Sequence, residues 1–304
     1  MCLPRPAATM GQALQPIEGL NWFDVDDPNS PALDELAARF GLHELQIEDC
    51  RHRGQRAKTE AYESYIFTVL KNLRPRRKAN FDDFDVFLAK DFLITVHDGE
   101  CALIDRVRRR AQDRKQGGRL DVLFYLLTDA IVDEYFPLLD EVSDATEAIE
   151  SEVLRRPEPP VLRRIFTLKR KLVEFRRVVG GMREVANAIV RREHGLVGDD
   201  LDAYFRDVYD HLVRTLDAIE SQRDLLTGSL DIYLSAIANR TNEAMKVMTL
   251  YGTIALPLVI ITGFFGMNLR LPWADHPYGA WFATGVMALS TVVVLIYLRK
   301  KRWI

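Results

Sequence analysis

The sequence predicts an α+β domain that continues into long stalk helices and ends in two transmembrane α-helices. Three observations carry this. Two long apolar stretches near the C-terminal end, 247–267 and 277–298, contain no Asp, Glu, Lys or Arg. Short runs rich in aromatic and β-branched residues alternate with helical stretches up to about residue 118, as in a mixed sheet with flanking helices. From 119 onward helical periodicity continues with few breakers.

The α+β region, 1–118, places strands at 20–25 (LNWFDV), 65–70 (YIFTVL), 84–88 and 92–96 (FLITV), and a helix at 32–40. A helical hairpin follows at 119–198, broken by Pro157, Pro159 and Pro160 and closed by the turn at Gly195 to Gly198. These breaks delimit three long helices. The first is acidic over 129–152 (Asp133, Glu134, Asp140, Glu141, Asp144, Glu147, Glu150), and the second is basic (among others Arg163, Arg164, Lys169, Arg170, Arg176, Arg177, Arg183). Their opposite charges suit the facing sides of an antiparallel hairpin. A second reading of the carboxylates is that they concentrate cations near a conduction path. The third helix, the stalk at 199–246, meets only Gly228 and Gly252 as mild interruptions before Pro257. At 1.5 Å per residue that is on the order of 85 Å, so it runs straight into the first span.

Each span has the roughly 20 residues needed to cross about 30 Å of hydrocarbon. A soluble helix keeps a polar face, and these keep almost none. Arg299, Lys300, Lys301 and Arg302 follow the second span (tail 299–304) and Lys246 precedes the first, whereas the link 268–276 has only Arg270 against Asp275. The positive-inside rule therefore places both termini in the cytoplasm, with the inner membrane as the location and the link as a short external loop. Trp273, Tyr278, Trp281 and Trp303 lie near the expected interfaces.

Composition narrows the function. The 304 residues are 48% apolar and 28% charged, which excludes disorder, and the net charge of −3 gives no basic field for nucleic acid. Cys2, Cys50 and Cys101 form neither a disulfide framework nor a CxxC site, and a reducing cytoplasm fits them. The first 15 residues lack the apolar core of a secretory signal. Without a Gly-rich phosphate loop, HExxH or nucleophile elbow, the chain is expected to be no enzyme and to use no organic cofactor.

Two helices alone make a poor pore, so conduction requires several copies around one axis. Steps of three and four residues along the stalk and first span join Asp231, Ser235, Asn242, Met245, Thr249, Gly252, Leu256, Val259 and Gly263 on one face. Polar and small residues alternate there with apolar ones. Met245 and Leu256 are placed to form constrictions that dewet when the bundle narrows, although Met also simply packs helix bundles. Gly266, Met267 and Asn268 follow. Asn268 supplies a neutral oxygen, and a ring of such oxygens with the Gly266 carbonyls suits hydrated Mg²⁺, which releases water reluctantly. Gly and Asn are also ordinary helix C-caps.

Gly266–Met267–Asn268, preceded by ITGFF and Pro257, resembles the Gly-Met-Asn signature of the CorA-type magnesium transporters, at the external end of the first of two C-terminal spans. HELQIEDCRHRGQRAKTEAYESYIFTVLK (43–71) resembles that family's cytoplasmic domain, and YFRDVYDH (204–211) and RTNEAMKVMT (240–249) resemble its stalk. The resemblance implies a homopentamer in the lipid bilayer, with the stalk and first span lining the pore and the second span outside. It adds Met248 to the gate and makes Mg²⁺ both cargo and regulator, with Co²⁺ and Ni²⁺ as further cargo. It also implies regulatory carboxylates at subunit boundaries, here Asp49 beside Glu48, and Asp207. Two departures stand out: Phe265 where the family commonly has Tyr, and a loop LRLPWADHPYG (269–279) in place of a Met-Pro-Glu segment. Such loops also occur in the zinc-transporting branch, so a Zn²⁺ transporter is the alternative. The pore face carries neither Cys nor His, and His276 alone is no zinc site. A membrane-anchored sensor or scaffold is the rival from another class.

Overall fold

The computed structural model describes residues 20–73, 81–113, 118–191, 195–267, 277–301 and 303. Its contacts divide the chain into two units, one running to Glu152 and resuming over Glu158–Ser229, the other comprising Val153–Pro157 and Leu230–Ile304.

The first unit is built on a five-stranded sheet in the order β1-β5-β4-β3-β2, with β1 at Trp22–Val25, β2 at Lys58–Ala61, β3 at Tyr65–Leu73, β4 at Phe81–Ala89 and β5 at Leu93–Val96. β2 to β5 form an antiparallel meander, and β1 joins β5 in parallel, pairing Trp22 with Leu93 and Val25 with Val96. β3, β4 and β5 are buried on nearly every residue. Covering both faces requires apolar side chains at consecutive positions, which accounts for runs such as YIFTVL and FLITV. The four expected strands are present. β2 (KTEA), which no apolar run marks, forms the outer edge.

One face is covered by α1 (Pro31–Phe40) and α2 (Glu44–Arg51), whose Leu33, Leu36 and Ile47 pack with Phe23, Phe67, Phe87 and Ile94. Pro31 opens α1, where its missing N–H is no loss, and Gly41 ends it at φ +67°, a conformation that suits a residue without Cβ. His43 caps α2 by accepting from the Leu45 N–H at 3.2 Å, and its own N–H donates to the Tyr65 hydroxyl at 2.9 Å. That hydroxyl in turn donates to Gln46 Oε1 at 2.7 Å, so a buried tyrosine fixes the start of the helix to β3.

α3 (Ala102–Asp113) and α4 (Leu120–Asp133) pack together. α4 also packs on β3 and β4, and α6 (Pro159–Val190) packs on β2 and β3. The acidic helix expected as one piece is two, α4 and α5 (Tyr135–Arg155), separated at Glu134. Pro137 explains the position of the break: it lacks an N–H and is tolerated in a first turn but not in mid-helix. Among the described residues, little of the charge complementarity expected between the acidic and basic helices is realised as ion pairs. Among the described residues, Arg164 with Glu152 is the ion pair that joins α5 to α6, while Arg176 turns to Glu220 and Lys169 donates to the Thr227 hydroxyl, both on the next helix.

Inside the sheet, Asp83 accepts from the Gly54 and Gln55 N–H groups at 2.7 and 2.9 Å and from Lys71 Nζ, and Asp85 pairs with Arg53 at 2.7 Å. Burial pushes the Asp85 carboxyl up to about 7, against the opposing pull of Arg53. Burial likewise raises the neighbouring Cys50 thiol, with Asp85 adding to the effect.

A short 3₁₀ turn, Asp199–Leu201, leads into α7 (Asp202–Phe265), a single helix of 64 residues with Pro257 inside it. In the second unit, α7 from Leu230 is accompanied by α8 (Gly279–Lys300). Both helices are long and apolar enough to cross a membrane, and their apolar stretches are almost wholly exposed in the single chain. Partly buried positions recur on α8 at Ala283, Val286, Met287, Ser290, Thr291 and Val294, and on α7 at Leu250, Thr253, Ile254, Pro257, Leu258 and Ile261. Steps of three and four give each helix one contact stripe, and Phe265 meets Phe282 edge-on at 6.4 Å.

Candidate functional site

The pore residues read from the sequence lie on α7 away from its contact stripe. At 3.6 residues per turn, Met245, Met248, Thr249, Gly252, Leu256, Val259 and Gly263 centre on the side opposite Leu250, Ile254, Pro257 and Ile261. All seven are exposed, as are Asp231 and Asn242 further up the helix. Met248 is 77% exposed, Leu256 62% and Val259 64%. The face therefore mixes glycines, a threonine and an asparagine with large apolar side chains, whereas lipid favours a uniformly apolar surface. The Thr249 hydroxyl donates to the Met245 carbonyl at 2.8 Å and Thr253 to the Thr249 carbonyl at 2.8 Å, which leaves the Thr249 oxygen as an acceptor on the face.

At the far end, the Gly266 N–H donates to the Thr262 carbonyl at 2.9 Å and the Met267 N–H to the Phe264 carbonyl at 3.4 Å, closing the last turn. A Cβ on Gly266 would stand 2.9 Å from the Thr262 carbonyl oxygen, too close for any other residue without a backbone shift. Gly266 thus acts in the helix end. Asn268 and the loop 268–276 lie outside the described residues.

The three carboxylates expected to be regulatory lie on two elements. Glu48 and Asp49 are on α2, and Asp207 is on the first part of α7. Asp49 accepts from Lys58 Nζ at 2.8 Å and Gln55 Nε2 at 3.3 Å; Glu48 lies 3.9 Å from His52, and Asp207 3.8 Å from His211. No hydrogen bond or ion pair joins Asp49 to Asp207, and among the described residues no group of three His, Cys, Asp or Glu is gathered closely enough to hold a metal. Lys58 was not singled out in the sequence. Its ammonium bridges Asp49 and Glu60, at 2.8 and 2.7 Å; burial pulls its pKa down, but the two carboxylates outweigh that and leave it above the ordinary value. No pattern in the sequence signalled it, because Lys58 stands in β2, which no apolar run marks.

The family model described as CorA-like Mg2+ transporter protein matches residues 18–300. The Cobalt/magnesium transport protein CorA of Thermotoga maritima is 37% identical over 272 residues, covering 87% of this chain and 78% of its own. The Cobalt/magnesium transport protein CorA of Methanocaldococcus jannaschii is 25% identical over 294 residues, covering 94% of this chain and 92% of its own. The complete structure of the CorA magnesium transporter from Methanocaldococcus jannaschii superposes with a TM-score of 0.82 at 24% identity, over 93% of this chain and 91% of that one, so the fold is shared along nearly the whole length. With the match running from the sheet through both apolar helices, this chain belongs to the CorA-like Mg²⁺ transporter family, a family of membrane transporters rather than enzymes.

Proposed function

We propose that the chain is one subunit of a homopentameric channel that carries Mg²⁺, with Co²⁺ and Ni²⁺ as further cargo, across the inner membrane into the cytoplasm, where both of its termini lie. The observation that supports this reading is the unpartnered face of α7, which carries polar and small residues through a helix otherwise apolar enough for lipid. Five such faces around an axis would form a water-filled track interrupted by rings of Met245, Met248 and Leu256. Rings of this kind exclude water when narrow and admit a hydrated ion when widened. At the outer end, five Asn268 amide oxygens with the Gly266 carbonyls would hold Mg²⁺ through its water shell.

Cytoplasmic Mg²⁺ would close the channel by bridging Asp49 and Glu48 of one subunit to Asp207 of the next. The donors are hard carboxylate oxygens, as Mg²⁺ requires. Lys58 already occupies one oxygen of Asp49, so metal and ammonium compete for that carboxylate. The test is ion flux into proteoliposomes, comparing Mg²⁺ with Zn²⁺ under a pH gradient. Asn268→Ala should abolish selective Mg²⁺ flux in a channel that still assembles, and normal flux in the variant would refute the filter.

A further inference from the structure

We propose that the first unit carries a binding site for a nucleoside polyphosphate, in a cavity of about 780 Å³ between the start of β2, α6 and α7. Six cations line it, Arg56, Lys58, Arg176, Arg177, Arg183 and Arg223, against one lining carboxylate, Glu184. That carboxylate is already engaged by Arg183 at 2.7 Å, Lys58 is held by Asp49 and Glu60, and Glu220 is shared by Arg176 and Arg223. Arg56 and Arg177 have no ion-pair partner among the described residues. Two uncommitted guanidinium groups in a ring of further cations suit phosphate oxygens, which guanidinium binds in a bidentate manner. The rest of the lining is apolar or bare: Leu172, Val173, Ile219, Ala57 and the two glycines of α6. A ligand with phosphates at one end and a flat, weakly polar body at the other fits both parts, and the volume lies within the range of small-molecule sites.

The glycines supply an independent observation. A glycine inside a helix costs up to about 1 kcal/mol relative to Ala, and α6 has two in succession. Gly181 has a packing reason, because a Cβ there would lie 3.1 Å from the Ala57 Cβ where the chain before β2 crosses the helix. Gly180 has none: nothing stands within 4 Å of where its Cβ would be. Its missing side chain keeps the cavity wall open, as an occupant of the cavity requires.

The test uses the full-length protein in detergent, titrated calorimetrically with ATP and, separately, with inorganic tripolyphosphate in Mg²⁺-free buffer. ATP should bind saturably in the micromolar range and at least ten-fold more tightly than tripolyphosphate, which has the charge without the nucleoside. Gly180→Leu should weaken ATP binding at least ten-fold while oligomer size and melting temperature are kept. The double variant Arg56→Ala/Arg177→Ala, which alters exposed side chains and does not depend on the helix tolerating Leu, should do the same. The proposal is overturned by absence of saturable binding up to millimolar ATP, by equal binding of tripolyphosphate, or by unchanged binding in the double variant. A changed oligomer size in Gly180→Leu would also overturn it, because the cavity would then be a contact between copies.

Discussion

Replacing Lys58 by Met removes the ammonium that stands 2.8 Å from Asp49, 2.7 Å from Glu60 and 5.9 Å from the centroid of the Phe67 ring, and keeps an unbranched apolar side chain of similar length. The Lys58 and Asp49 side chains are 32% and 26% exposed, so solvent screens their pair, which is worth about 1 kcal/mol. A Mg²⁺ that binds Asp49 must first give up that pairing. Without Lys58 the requirement disappears, and about 1 kcal/mol per site corresponds to roughly five-fold tighter binding. The variant should therefore be inhibited at about one-fifth of the cytoplasmic Mg²⁺ that closes the parent channel. The assay is flux from proteoliposomes across a Mg²⁺ titration of the cytoplasmic side, with protection from limited proteolysis as a second readout. A midpoint that stays in place or moves to higher Mg²⁺ would show that Asp49 does not take up the regulatory ion.

Other outcomes follow from the same residues. Asp85 is an acid raised to about 7 in the fold, so the folded chain keeps a proton that the unfolded chain releases near pH 3.9. Its contribution is then fully present below about pH 4 and is lost as pH rises to about 7, by roughly 4 kcal/mol; Asp85→Asn should flatten the melting temperature between pH 4.5 and 8, and curves parallel to the parent would refute the shift. Leu256→Asn places an amide in a ring read as a dewetting constriction, and should give flux that persists at Mg²⁺ concentrations closing the parent; unchanged closure would remove Leu256 from the gate. Gly180→Ala should raise stability by up to about 1 kcal/mol, since its Cβ meets open space; a lower melting temperature would mean that the position is packed in the assembled protein.

The sheet was legible wherever burial on both faces forced apolar residues into unbroken runs, as in β3 and β5. It was not legible at β2, whose KTEA is a strand because its residues pair with Ile66 to Val69 of β3 across a short hairpin, a pairing that its own composition does not signal. Proline has two outcomes here: Pro137 falls in the first turn of α5 and marks a boundary within the stretch expected as one helix, while Pro257 sits inside α7, as the span expected at 247–267 requires. The carbonyl that Pro257 leaves unpaired belongs to Thr253, in a stretch where threonine hydroxyls also bond to backbone carbonyls. On α7 the polar and apolar positions alone located the face opposite the contact stripe, because spacing along a helix fixes azimuth. The Lys58–Asp49 pair was invisible for the complementary reason: it joins a strand to a helix, so its meeting depends on how α2 packs beside β2, which spacing does not encode.

The parallel pairing of β1 with β5 has a kinetic consequence. β2 to β5 are joined to their neighbours in sequence and can zip together as soon as Val96 has been made. β1 is synthesised before any of them, yet its partner lies about seventy residues downstream. Closing that separation is entropically slow compared with forming the meander, so β1 docks onto an edge that already exists. Until then Phe23 and Val25 are missing from the core and the β5 edge is an open template for pairing with another chain. Substitutions at Trp22 or Phe23 should accordingly speed unfolding far more than they slow folding, and the interval before β1 arrives is when a nascent chain is most exposed to misassembly.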